Sequence, residues 1–321
     1  MILLLGATGL LGRNVLQLLL ERGIPVRALV RRDLPVEGVE VVRGSVLSRE
    51  DLLNAARGCS AIINCAGSTD MTLPRVGDFY PVNRDLPAML LKVLETTGIR
   101  TLIDTSTANT IASGTPERPA TEQCPFGPPF DRSPYALSKC ESEALLLDYA
   151  QAHPERRILI MNPGFMLGGW DSKPSSGQLM LAGYRRPVMI AFSGGKSFLH
   201  VKDAATAIVN ALDKGESGRY LLTGRYISLK DFYLLQARVM GYRQKVWELP
   251  DWLTLSIGRL GNLLLKLGIR NSFYWHNIRQ MLWQEWYSCN KARRVLDYPQ
   301  TPVEQGIKDF FAYWKKSRSA S

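Results

Sequence analysis

Short apolar runs alternate with amphipathic stretches through the first half of the chain. The runs Ile2–Leu5, Val26–Val30, Val39–Val42, Ala61–Asn64, Thr101–Asp104 and Ile158–Met161 predict strands. Between them, Leu11–Arg22, Arg49–Ala56, a stretch from Val82 to Thr97, and Pro134–Ala152 predict helices. Pro87 lies inside the third of these, so that helix is expected to start or kink there. Wholly apolar strands separated by helices are the pattern of a parallel sheet covered on both faces. With right-handed crossovers this becomes a doubly wound α/β fold.

The pattern is less regular after residue 165. Gly168-Gly169-Trp170 and Lys173–Gly177 read as turn-rich loop, and Val188–Phe192 and Arg219–Leu222 as two further strands. From Pro250 the chain reads as helical and rich in leucine and tryptophan, interrupted by Gly258, Gly261 and Gly268.

Composition narrows the class. Of the 321 residues, 45% are hydrophobic and 21% charged, which is globular and excludes a disordered or fibrous chain. No apolar run reaches the ~18 to 20 residues of a membrane span. The net charge of +11 is unevenly placed: residues 1–218 carry 23 basic and 22 acidic side chains, residues 219–321 carry 17 and 7. A basic second part fits a phosphorylated ligand, a nucleic acid, a membrane surface or simply a solvated face. No nucleic-acid recognition motif accompanies it, so nucleic acid is not expected as a partner. Cys59, Cys65, Cys124, Cys140 and Cys289 are odd in number and lack CxxC spacing. They read as reduced thiols of a cytoplasmic protein, not as a disulfide frame or zinc site. The three histidines are scattered, so no metal is expected. The apolar start lacks a cationic flank and breaks at Gly6, which favours a first strand over a signal peptide.

Two motifs carry chemistry. Gly6-Ala7-Thr8-Gly9-Leu10-Leu11-Gly12 follows a predicted strand and opens a helix. Glycines there permit a tight turn and close approach of backbone to a pyrophosphate, and the helix N-terminus offers free N–H donors. Arg31 and Arg32 end the second strand, where a carboxylate would bind the ribose of NAD and an arginine the 2′-phosphate of NADP. NADP(H) is therefore favoured over NAD(H), with Arg32 readable also as a solvated loop charge. Downstream, Tyr135 and Lys139 are four residues apart on one helix face. A free phenol has a pKa near ~10, and a neighbouring ammonium is expected to lower it into a useful range for proton transfer. Thr107 at a strand's carboxyl end is the expected hydrogen-bond partner of the reacting oxygen, with Ser106 as the competitor.

These motifs, together with Asn64-Cys65-Ala66-Gly67, Asp104–Thr107, Asn162–Gly168, Phe198–Leu212 and Ser288–Ala292, make the sequence resemble an extended short-chain dehydrogenase/reductase, of the dihydroflavonol-4-reductase-like and 3β-hydroxysteroid-dehydrogenase-like branch. The resemblance implies a Rossmann domain over residues 1–165. It implies a smaller, mainly C-terminal α/β cap for substrate over 166–321, with about 188–212 returning to the core. Tyr135 is implied as general acid or base, with Lys139 holding the nicotinamide ribose and Thr107 replacing the usual serine. Asn162, Pro163 and Phe165 are implied to line the nicotinamide, and Ala66 and Gly67 the middle of the dinucleotide. Ser45 and Val46 are implied beside the adenine, with Ser45 where an aspartate is common, and Asn83 belongs to a Val-Asn motif at the start of the Val82–Thr97 helix. The expected activity is reduction of a carbonyl, or oxidation of a secondary alcohol, on a bulky, apolar or ring-containing small molecule. Nucleotide-sugar epimerisation or dehydration, and non-catalytic NADP binding, are the alternatives. The protein is expected to be a monomer or homodimer, with peripheral membrane contact through 252–270 as a lesser possibility.

Overall fold

The computed structural model describes residues 1–172 and 176–319. Its first part contains β1 (Ile2–Leu5), α1 (Leu10–Glu21), β2 (Val26–Val30), β3 (Val39–Arg43), α2 (Arg49–Ala56) and β4 (Ala61–Asn64). A π-helical turn, Pro81–Asp85, then leads into α3 (Leu86–Thr97), β5 (Thr101–Thr105), α4 (Pro134–Ala152) and β6 (Arg157–Pro163). Pro87 sits in the first turn of α3, directly after the π-helical turn, so the expected interruption at this proline is a change of helix type within a continuous helical segment.

The remainder runs β7 (Phe165–Leu167), α5 (Gly177–Gly183), β8 (Val188–Ala191), β9 (Gly195–His200), α6 (Val201–Asn210), β10 (Gly218–Leu222), β11 (Arg225–Ser228) and α7 (Leu229–Met240). It closes with β12 (Lys245–Glu248), α8 (Asp251–Lys266), α9 (Trp275–Gln280), α10 (Asn290–Leu296) and α11 (Val303–Ser319). The turn-rich stretch predicted at Lys173–Gly177 lies outside the described residues through 175, and Gly177 itself begins a helix instead of continuing a loop.

Seven parallel strands form the central sheet in the order β10-β6-β5-β4-β1-β2-β3. The order reverses between β1 and β4, so a crevice opens at their carboxyl ends. Every residue of β1 is buried, because the sheet is covered on both faces. Ile2 and Leu4 enter the core shared with α1 and α6, while Leu3 and Leu5 enter the core shared with α2 and α3. This is the two-residue period of a strand with no solvent side.

A three-stranded sheet, β11-β9-β7, and a two-stranded one, β12-β8, lie apart from the central sheet. Their core joins Phe198, Phe232, Phe310 and Phe311, with Phe198 and Phe232 stacked at 4.4 Å. β9 carries a buried ion pair between Lys196 and Glu285. From this part of the chain α6 packs back on α1, and β10 adds the seventh strand to the central sheet.

Candidate active site

The chain leaves β1 through Gly6, whose φ of +76° favours glycine. A Cβ at Gly6 would lie 2.5 Å from the Cys65 carbonyl carbon, so the turn and the end of β4 touch backbone to backbone. Thr8 and Gly9 are exposed above this contact. Gly9 precedes α1 and supplies no side-chain cap, and the first turn of α1 holds no carboxylate. The first intrahelical bond in that turn is Arg13 N–H to Gly9 O at 2.9 Å. The N–H groups of Leu10, Leu11 and Gly12 thus have no acceptor within the helix, and they form a positive end suited to a pyrophosphate. Gly12 is the tightest position: a Cβ there would meet Gly6 O at 2.1 Å. Gly12→Ala is expected to push α1 off the turn, at a cost of about 1–3 kcal/mol. Urea unfolding, together with dinucleotide binding by fluorescence, checks this, and unchanged values in both would contradict it.

Arg31 and Arg32 follow β2 and are both exposed. The nearby carboxylate, Asp33, is paired with Arg43 at the end of β3. At the next strand the backbone N–H of Ser45 donates to Asp51 Oδ2 at 2.8 Å. Asp51 belongs to α2 and was not singled out in the sequence. Its carboxylate presses so closely under Gly44 that a Cβ there would meet it at 2.8 Å. Ser45 therefore stands beside an aspartate supplied from six residues further on. Val46 is half-buried against the α2–α3 core.

Beyond β4, Asn64 Oδ1 accepts from Ala66 N–H at 3.1 Å, and its amide donates to buried Asp104 at 2.6 Å. Asn83 is fully buried in the π-helical turn. It accepts from Ser68 N–H at 2.8 Å and donates to Ser68 O at 3.0 Å and to Ser138 Oγ at 3.2 Å. Both ends of the amide are used within the protein, so Asn83 shapes the segment after Gly67 and ties it to α4. Gly67 itself leaves room beside Lys139: a Cβ there would stand 3.8 Å from Nζ.

Helix α4 begins with Ser133, which accepts from Ala136 N–H, and Pro134, both favoured at a helix start. Tyr135 is therefore fixed in the first turn, half-buried, with Phe79 edge-to-face at 5.9 Å. Its phenol is held up at about 12, chiefly by burial, with a hydrogen bond from Thr107 acting against the rise and the Glu143 charge adding to it. Lys139 lies one turn on and is buried. Its ammonium donates to Thr105 O at 2.7 Å. Burial lowers its pKa, opposed first by Asp104 and then by Glu143. The expectation that Lys139 depresses the Tyr135 pKa is corrected here: same-face spacing holds, but the lysine reaches down to β5, and burial governs the phenol.

The two hydroxyls after β5 turn to different partners. Ser106 turns inward and donates to Glu143. Thr107 caps the short turn Ala108–Thr110 and faces the Tyr135 hydroxyl. Asn162, implied at the nicotinamide, is also turned inward: its amide donates to Glu143 Oε1 at 2.6 Å and to Thr107 O at 3.1 Å. Pro163 is buried at the end of β6. Phe165 opens β7, half-buried and edge-to-face with Phe198 at 5.2 Å.

Glu143 was missed by the sequence reading. It is fully buried, accepts from Thr110 at 2.7 Å, and faces Arg219 Nε of β10 at 2.7 Å. The available signal was its spacing, because Tyr135, Lys139 and Glu143 recur every four residues along α4. Burial raises its carboxyl pKa, countered by Arg219 and then by Ser106, Thr110 and Asn162. No group of three or more His, Cys, Asp or Glu side chains suited to a metal occurs among the described residues.

A glycine turn on a helix N-terminus at the reversal of a parallel sheet, with a Tyr/Thr pair and a buried lysine at the same edge, defines a nicotinamide-dinucleotide-binding Rossmann protein. The chain belongs to the NAD dependent epimerase/dehydratase family, which it matches over residues 2–223, and thus to the extended short-chain dehydrogenases/reductases. It is 26% identical to a putative dihydroflavonol 4-reductase of Synechocystis, over 95% of this chain and 91% of the relative. It is 25% identical to sterol demethylase protein B of Methylococcus capsulatus, over 98% of each. It is 28% identical to a 4-hydroxy-2-methyl-3-oxo-4-farnesyl-3,4-dihydroquinoline-1-oxide ketoreductase of Stigmatella aurantiaca, over 81% of this chain and 79% of the relative. The fold also matches UDP-glucose 4-epimerase of Thermus thermophilus in complex with NAD, with a TM-score of 0.76, 20% identity and 98% of each chain covered.

Proposed function

We propose that the protein is an NADP(H)-dependent reductase of a carbonyl, or dehydrogenase of a secondary alcohol, on a bulky ring-containing or apolar small molecule. One observation carries the reading: the Tyr135 hydroxyl faces Thr107 at the crevice while Ser106 is turned away into Glu143. A proton donor and a second hydroxyl then meet one substrate oxygen. When bound, the nicotinamide supplies or accepts the hydride. Tyr135 is protonated at neutral pH and gives its proton to the carbonyl oxygen as charge develops there, and in the reverse direction it takes the alcohol proton. Thr107 orients that oxygen. Lys139, buried between Asp104 and Thr105 O, presents a cationic site next to Gly67 for the nicotinamide ribose. The free N–H groups of Leu10, Leu11 and Gly12, beside Thr8 and Gly9, hold the pyrophosphate. Ala66 and Gly67 flank its middle, Ser45 and Val46 the adenine, and Pro163 and Phe165 the nicotinamide. Asn83 positions the Gly67–Ser68 segment.

The bulky substrate class is supported by relatives whose names include a sterol demethylase protein and a farnesyl-bearing quinoline ketoreductase. The NADP preference rests on Arg31 and Arg32, which are free of any ion pair among the described residues, whereas Asp33 is engaged by Arg43. The test is turnover of NADPH and NADH against a panel of ring-bearing ketones. NADPH should be preferred, and Arg31→Ala with Arg32→Ala should weaken NADPH about tenfold or more while leaving NADH unchanged. Equal use of both cofactors by the parent would overturn the preference. Tightly retained NAD with turnover of nucleotide sugars, or no turnover of any substrate, would overturn the reductase reading.

A further inference from the structure

Helix α8 is amphipathic in the reverse of the usual sense. Its buried positions are Thr254, Gly258 and Gly261, which lie on one side at 3.6 residues per turn. A Cβ at Gly258 would stand 3.2 Å from Trp275 Cα, and one at Gly261 would stand 2.2 Å from Phe273 O. The small residues are therefore the contact with α9 and the segment before it. The opposite side carries Trp252, Leu253, Leu260, Leu263 and Leu267, and Trp252 and Leu267 are 70% and 68% exposed. Ile269 and Phe273 extend the apolar surface past the helix end, both more than half exposed. A continuous face of this kind is unlike the scattered apolar residues of an ordinary surface.

Past Asp251, the first residue of α8, whose carboxylate accepts from Ser193 Oγ at 2.6 Å, the charge along this segment has one sign. Residues 252–284 contain Arg259, Lys266, Arg270 and Arg279 and no Asp or Glu. None of the four is paired with a carboxylate among the described residues. Arg259 and Lys266 lie along one edge of the leucine face. The helix pair is also tied to the crevice: Tyr274 Oη donates to Leu73 O at 3.1 Å and Asn277 Nδ2 to Met71 O at 2.8 Å, on the segment that follows Gly67.

We infer that the α8 face is a docking surface for a membrane that carries anionic lipid. The leucines and Trp252 enter the headgroup boundary, and the cations meet lipid phosphates at its rim. A second copy of the chain fits this face poorly, because a two-fold contact would oppose cations with no carboxylate in the segment to neutralise them. Docking leaves the redox reading untouched, since it involves none of the residues at Tyr135.

The test is sedimentation of the full chain with phosphatidylcholine vesicles with and without phosphatidylglycerol. Binding is expected on the anionic vesicles at low salt, weakened by added salt. Leu260→Glu with Leu263→Glu should reduce it at least about tenfold, and Arg259→Ala with Lys266→Ala should do the same. Both pairs alter exposed side chains, so their thermal unfolding should match the parent. No binding of the parent to anionic vesicles would overturn the proposal. So would equal binding by the leucine variant, or a parent dimer that the leucine variant dissociates while vesicles bind neither.

Discussion

Tyr135→Phe should lower kcat for carbonyl reduction by about 10²–10⁴-fold while dinucleotide affinity stays unchanged. The hydroxyl is the only part removed, and the ring keeps its edge-to-face contact with Phe79 at 5.9 Å. Steady-state kinetics with the ketone panel and direct titration of cofactor check the two halves separately. A variant that keeps full turnover would remove Tyr135 from the chemistry. The parent's pH profile follows from the same group. With the phenol held up to about 12, its acid form persists across the neutral and alkaline range. Reduction should therefore be flat with respect to this group from pH ~6 to ~9, while oxidation, which needs the phenolate, should rise with pH. Stability carries the same sign. The native chain keeps a proton that the unfolded chain releases near 10, so this contribution is lost as pH climbs from 10 toward 12.

Glu143→Ala is expected to have the largest effect on folding. It removes the acceptor of Ser106, Thr110 and Asn162 and the counter-ion of Arg219 together. The loss should be about 3–5 kcal/mol, toward the lower figure because Arg219 retains some access to solvent. Urea unfolding measures it, and a loss below ~1 kcal/mol would mean the network supports little. Glu143→Gln keeps an oxygen for the three donors but turns an amide toward Arg219, and should cost less. Burial dominates the carboxyl and raises its pKa above the ordinary 4.5. The native chain thus binds this proton more tightly than the unfolded one. The parent's advantage over the Gln variant should be greatest at acid pH and shrink as pH rises above 4.5.

Much of the candidate site is legible in the sequence alone. The glycine turn, Tyr135, Lys139 and Thr107 sit on local patterns that a strand, a turn and one helix reproduce wherever they occur. Missed residues depended on what another element brings. Asp51 matters because α2 folds it under Gly44, and Glu143 because β10 sets Arg219 against it. The same holds for direction. Neighbouring Ser106 and Thr107 are chemically near-equivalent in a sequence, and only the Glu143 pocket decides which of them turns toward Tyr135. Lys139 shares a face with Tyr135, yet its long side chain is drawn to Thr105 O, so spacing predicted the placement and not the electrostatic effect.

The second part of the chain marks the limit from the other side. β7, β9, β11 and β12 were not predicted, being strands of three to six residues whose pairing is with distant segments. In α8 the leucines would be assigned to the core by periodicity alone, but α9 packs on the glycines, and the leucines are left outside. Local spacing by itself determined the parallel α/β frame and the residue types at its crevice, because backbone periodicity and turn chemistry act within a few residues. The tertiary structure alone decided which hydroxyl is offered, how far burial moves each pKa, and which side of α8 meets water, because those depend on desolvation and on neighbours far away in the chain.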